Sequence, residues 1–181
     1  MSRFQVALLF ALAVCWSLAG CSAPAPPGPI LVELMEEAPP RARLEGGPDL
    51  TPLTVDWAAV NGSASMPAPR TVRWAATNDG PVALVLQTPI VPVRVITLTW
   101  GEVDYVGIPR GLGREQFCDL APGRVGADDS GCAFAERGDH VVVLINPEPN
   151  HVYVVVQIAW LASDVQQVSA SWGFRLSAGD G

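Results

Sequence analysis

From Val168 to Leu176 the chain alternates apolar and polar or small residues. Val168, Ala170, Trp172, Phe174 and Leu176 fall on one side, Ser169, Ser171 and Arg175 on the other. A period of two belongs to an extended chain whose side chains point to opposite faces. The segment is therefore read as a strand with one face buried. The same pattern recurs. Leu53, Val55 and Trp57 alternate with Thr54 and Asp56, and Val72 and Trp74 with Thr71 and Arg73. Val82, Leu84 and Leu86 follow an Asn78-Asp79-Gly80-Pro81 turn whose residues suit a hairpin connection. Val91 to Trp100 is a β-branched run, and Gly101 marks a turn or bulge before Val103 to Val106. Val141, Val143 and Ile145 lead through an Asn146–Asn150 turn into Val152, Val154, Val156, Ile158 and Trp160.

Seven or eight strands with short turns and no long helix predict an all-β fold. The expected form is an antiparallel β-sandwich of immunoglobulin-like architecture, with a small barrel as the alternative closure. The Cys…Trp…Cys pattern of a true immunoglobulin domain is absent, because both later cysteines fall in a loop region. Trp57, Trp74, Trp160 and Trp172 lie on the inward side of their strands and are assigned to the core. Trp100 ends a row of Arg94, Ile96 and Leu98 and is the one tryptophan considered as an exposed binding platform.

Ahead of this region stands a different kind of sequence. Arg3 precedes the apolar run from Val6 to Leu18, and Leu18-Ala19-Gly20-Cys21 follows, then Ser22. The layout is that of a secretory signal. The run is shorter than the roughly 20 apolar residues that span a bilayer. Pro24, Pro26, Pro27 and Pro29 stop any helix just beyond it. Leu18 to Cys21 resembles the lipobox of bacterial lipoproteins. The resemblance covers residues 1 to about 22 and carries nothing about the fold beyond them. It implies removal of residues 1–20 and a mature chain beginning at Cys21, bearing an S-diacylglyceryl group and an N-acyl group such as palmitate. Two or more acyl chains anchor a protein stably at about 0.8 kcal/mol per buried methylene.

Residues 21–50 are read as the lipidated cysteine and a Pro-rich tether. Its first residues hold the domain about 25 Å from the membrane if extended. Ile30 to Ala38 interrupts the prolines. Ile30, Leu31, Leu34 and Met35 form one face of a helix with Glu33, Glu36 and Glu37 opposite, or the run is an edge strand; nine residues do not decide. Residues 51–181 are assigned to the sandwich.

The charge balance bears on partners. The net charge is −7, and every cationic side chain is an arginine. Nucleic acid is not an expected partner, and attraction to anionic head groups is not expected either. That leaves the bilayer reached through acylated Cys21, together with an envelope protein or glycan.

In an oxidising compartment Cys118 and Cys132 are expected to form a disulfide worth about 3 kcal/mol in the chain-entropy model. A metal site or a redox pair is the alternative. Against these, there is no C-x-x-C spacing and no histidine at ligand spacing. The bridge ties the middle of Gly107–Asp139, a long stretch with little strand pattern between otherwise short connections. Long loops are often functional. Arg110 and Arg114 are the candidate ligand-binding residues in it.

Asp128, Asp129 and Asp139 are weak candidates for a divalent cation, since the spacing of a calcium loop is missing. His140 and His151 would come close if their strands pair as a hairpin, but no third ligand is evident. There is no Gly-x-Ser-x-Gly elbow and no phosphate-binding Gly-rich loop. The expected function is a lipid-anchored, extracytoplasmic, non-catalytic binding or structural module of the cell envelope, without a cofactor. The rivals are an envelope hydrolase with its site in 107–139 and a divalent-metal-binding module.

Overall fold

The computed structural model describes residues 38–57, 65–77, 80–121, 131–162 and 166–177. Cys21, Asp128 and Asp129 lie outside them, as do the leader and most of the tether. The described residues are all-β. In chain order the strands are β1 (Ala42–Leu44), β2 (Asp49–Leu50), β3 (Pro52–Asp56), β4 (Ser65–Met66), β5 (Ala75–Thr77), β6 (Val82–Leu86) and β7 (Arg94–Trp100). They continue as β8 (Arg114–Phe117), β9 (Asp119–Leu120), β10 (Cys132–Arg137), β11 (His140–Ile145), β12 (Tyr153–Leu161) and β13 (Gln167–Leu176). Seven of these, β3, β6, β7 and β10 to β13, are five residues or longer, and they carry the architecture.

Two mostly antiparallel sheets pack face to face as a β-sandwich. Sheet A has the order β2-β1-β6-β11-β10-β9, and sheet B the order β4-β3-β13-β12-β7-β8, with β5 also on β13. Among the described strands only β9 on β10 and β5 on β13 run parallel. The longest pairing joins β12 and β13 from Tyr153↔Arg175 to Leu161↔Gln167. That register sets Val154, Val156, Ile158 and Trp160 beside Phe174, Trp172, Ala170 and Val168 on the inner face, all buried. Leu84 and Leu86 of β6 and Val141 and Val143 of β11 meet them from sheet A with no exposure. Burying side chains of this size contributes about 1.5–3 kcal/mol each.

Three tryptophans stack edge to face at the centre. Trp160 lies 5.6 Å from Trp57 and 6.4 Å from Trp172, centroid to centroid. Trp160 donates its indole N–H to the carbonyl of Ile90 at 3.1 Å. The indole N–H of Trp172 is buried with no partner among the described residues.

Several expectations need correction. Strands of sheet A also come from residues before 51. Ala42 and Leu44 are buried in β1, which pairs with β6, and Leu50 packs from β2. Val72 and Trp74 precede β5 rather than forming a strand. The chain passes from β5 in sheet B to β6 in sheet A, so the 78–81 turn does not close a hairpin. The same holds for Asn146–Asn150, which carries the chain from β11 in sheet A to β12 in sheet B. His140 opens β11 of sheet A, whereas His151 lies in the connection before β12 of sheet B, so the hairpin that would have joined them does not exist. Val103 makes only an isolated bridge to Pro109. The 107–139 stretch is not a structureless loop either, since it supplies β8, β9 and β10. Its polar residues hid the strands because β8 and β9 are edge strands with one or both faces in water.

Candidate functional site

Sheet B has an interrupted edge. Along β13, Ser169 to Trp172 pair with β3, and Phe174 to Leu176 pair with β5. The partner strand changes at Gly173, just after the β3 register shifts between Ser171 and Trp172. A strap, residues 67–74, crosses the outside of this break. Between the strap and the sheet runs an open groove of about 950 Å³. That is the size of a small-ligand or peptide site.

The groove is built by a glycine. A Cβ on Gly173 would lie 2.6 Å from Leu53 Cδ1 and 3.0 Å from Trp74 Cζ3. Gly173 thus lets Leu53 and the Trp74 indole settle on the outer face of the sheet. Trp74 is half-buried there and meets Tyr153 edge to face at 5.2 Å. Its assignment to the core between the sheets is corrected: it packs on the opposite side of sheet B. On the same face Thr54 of β3 and Ser171 of β13, cross-strand neighbours, share a 2.6 Å hydrogen bond that satisfies both hydroxyls.

Arg70 and Arg73 are exposed on the strap, and Asp49 lies at the far wall. Among the described residues neither arginine forms an ion pair. The groove thus offers apolar surface from Leu50, Leu53, Val72 and Trp74 beside two cationic forks suited to carboxylate or phosphate groups. From sequence Leu53, Val72, Arg73 and Trp74 read as strand residues, and none of the groove residues reads as a binding residue. The signal present was Arg70 and Arg73 in a Pro67-Ala68-Pro69 context, which suits neither a core strand nor a hairpin turn.

A second excursion, residues 101–113, locks the strap. The Asp104 carboxylate accepts from the backbone N–H of Val106 at 3.0 Å and of Ile108 at 2.9 Å. The carbonyl of Val106 accepts from Val72 N–H at 2.9 Å, and that of Gly107 accepts from the Trp74 indole, also at 2.9 Å. Gly107 has φ +84°, and a Cβ there would meet the Val72 carbonyl oxygen at 2.2 Å. Only glycine fits both the conformation and the contact. The excursion displays two large apolar side chains to solvent, Tyr105 at 95% exposure and Leu112 at 100%.

The residues singled out from sequence are dispersed. Trp100 stands on the outer face of sheet B opposite Tyr153, half-buried, with Gly113 placed against its indole. It is not an open platform. Arg110 is exposed on the excursion, and its N–H donates to the Glu102 carbonyl. Arg114 is ion-paired with Glu148 of the crossover between sheets. The pair closes a small cleft with the inward-facing Thr97 and Thr99, and Thr99 shares a 3.0 Å hydrogen bond with His151 Nδ1. Asp139 sits in the β10–β11 turn against His140 Nδ1 at 3.0 Å. That hydrogen bond, a backbone hydrogen bond and the ring's charge hold its carboxyl below the ordinary value. Among the described residues no group of three His, Cys, Asp or Glu side chains could hold a metal ion.

Cys118 and Cys132 are joined as a disulfide. Cys118 stands where the chain leaves β8 of sheet B for β9 of sheet A, and Cys132 opens β10. The bond therefore clamps the two sheets along one lateral edge, and both cysteines are buried.

Compared with known proteins, the chain matches no family model, no curated protein and no solved structure.

Proposed function

We propose that this chain is a lipid-anchored, extracytoplasmic β-sandwich that works at the cell envelope by binding rather than by catalysis. The observation that carries the anchoring is Leu18-Ala19-Gly20-Cys21, set between an apolar run and a Pro-rich segment. Removal of residues 1–20 and acylation of Cys21 would attach the domain to the cell membrane or outer membrane. The Cys118–Cys132 disulfide suits a compartment that is oxidising.

Binding is supported by what sheet B carries on its outside. The strap and the 101–113 excursion hold each other through Val72, Trp74, Val106 and Gly107. A fixed platform thus presents Tyr105 and Leu112 outward beside the Arg70–Arg73 groove. Tyrosine and arginine are enriched at binding hot spots, and loops carried on a rigid scaffold commonly do the recognising. An envelope protein, or a glycan bearing carboxylates, fits this combination.

Two experiments test the reading. Cys21→Ala should move the protein from the membrane to the soluble extracytoplasmic fraction; unchanged retention would remove the anchor. In-cell cross-linking through a photoreactive residue at position 105 should give a discrete adduct that Arg70→Gln/Arg73→Gln weakens. Absence of any adduct in the native envelope would argue against a binding role for this face.

A further inference from the structure

Sheet A is apolar on both sides. Its inner face joins the main core. On the outer face Ala83 and Val85 of β6 and Val142 of β11, with Leu144 against them, form a separate apolar cluster. Ala135 of β10 extends the same row, since Arg43, Val85, Val142 and Ala135 are successive cross-strand neighbours. An antiparallel sheet with one free face normally shows polar residues there. Here Val85 is 7% exposed, Val142 5% and Ala135 2%. Every member of the cluster comes from β6 or β11. Small residues at 83, 133 and 135 also leave room for a further layer to approach closely.

We propose that the outer face of sheet A is the docking site of this chain's own segment Ile30–Glu37. Three observations select this occupant. The first is where the described chain starts. Ala38–Arg41 leads straight into β1, next to β6, and Arg41 already accepts a hydrogen bond from Gln87 N–H. Four residues span at most about 14 Å, which reaches β6 and β11 across strands about 4.8 Å apart. The second is chemistry. Ile30, Leu31, Leu34 and Met35 supply apolar surface, and Glu33, Glu36 and Glu37 supply carboxylates. The third is charge. Arg43 borders the apolar row on one side, and Arg137 shares its face on the other. Tethering makes the association intramolecular, so modest contacts suffice.

Docking there would cover sheet A and leave the groove face of sheet B open. It concerns the sandwich alone and stands whether or not Cys21 is acylated. Hydrogen exchange on the full chain tests it, with the double variant Leu31→Asp/Leu34→Asp as comparison and β12–β13 amides as the folding control. Amides of residues 30–37 should exchange at least roughly tenfold slower than an unstructured chain, equally at high and low protein concentration. The variant should lose that protection and bind an environment-sensitive apolar dye, with β12 and β13 unchanged. Unprotected amides at 30–37 in the unsubstituted chain would overturn the proposal. Protection that disappears on dilution would also overturn it, and would assign the face to a second copy.

Discussion

Trp74 donates its indole N–H to the carbonyl of Gly107, 2.9 Å away and 33 residues on in the chain. Through this bond, and through Val72 N–H on Val106, two separate excursions of sheet B become one platform. The tryptophan spends its polar edge on the partner loop and its ring on Gly173 and Tyr153.

Gly107→Ala should break the platform. A side chain there must adopt φ +84° and displace the Val72 carbonyl. The expected cost is about 2–4 kcal/mol, or local detachment of the loop. Gly111→Ala is the control. It also has positive φ (+75°), but open space surrounds its Cβ position, so it should cost about 1 kcal/mol. Urea unfolding and the exchange of Val72 N–H distinguish the two.

The central tryptophans should respond unequally to the same change. Trp160→Phe removes a buried N–H and orphans the Ile90 carbonyl it serves. Trp172→Phe removes an N–H that has no partner among the described residues. Both variants lose packing, so the difference isolates the hydrogen bond. Trp160→Phe should be the more destabilising by about 1–3 kcal/mol in chemical denaturation.

The alternation legible at 168–176 gave the central strand of sheet B and its buried face, and at 82–86 and 141–145 it gave the spine of sheet A. What it did not give was partnership between strands. Period two states which residues share a face, not which sheet a turn leads to. Both the 78–81 and 146–150 turns therefore looked like hairpins while they cross between sheets. Trp74 shows a related limit. Alternation assigned it a buried side, but Gly173, a hundred residues away, decides that the side is the outer one. The groove was invisible for the same reason, since its walls come from three separate segments, 49–53, 66–75 and Gly173. The cysteine pair was legible because two cysteines at this separation, without C-x-x-C or nearby histidine ligands, favour a disulfide.

Removing the disulfide should loosen one lateral edge of the sandwich. Cys118 and Cys132 are 14 residues apart, so the chain-entropy model assigns the bridge about 3 kcal/mol. Cys118→Ala/Cys132→Ala should lower stability by that order in urea. The β8 and β9 amides should lose protection first, because they depend on the clamp. Uniform loss across all strands would contradict this.

Asp139 should titrate below its ordinary value of 3.8, mainly through its hydrogen bond to His140. A depressed carboxyl pKa in the folded state favours that state above the unfolded pKa. The effect is lost as pH falls through the folded value. Because Asp139 is fully exposed, the consequence for global stability is expected to be undetectable. Its carboxyl resonance followed by NMR should show the low midpoint, and His140→Ala should return it upward. No change in that variant would show that the ring is not the cause.

The anchoring claim is tested most directly by the mass of the N-terminal peptide of the membrane-purified protein. The account predicts a peptide beginning at Cys21 and carrying the added mass of a diacylglyceryl group with an amide-linked acyl chain. A membrane-purified chain that retains residues 1–20, or one with unmodified Cys21, would contradict it.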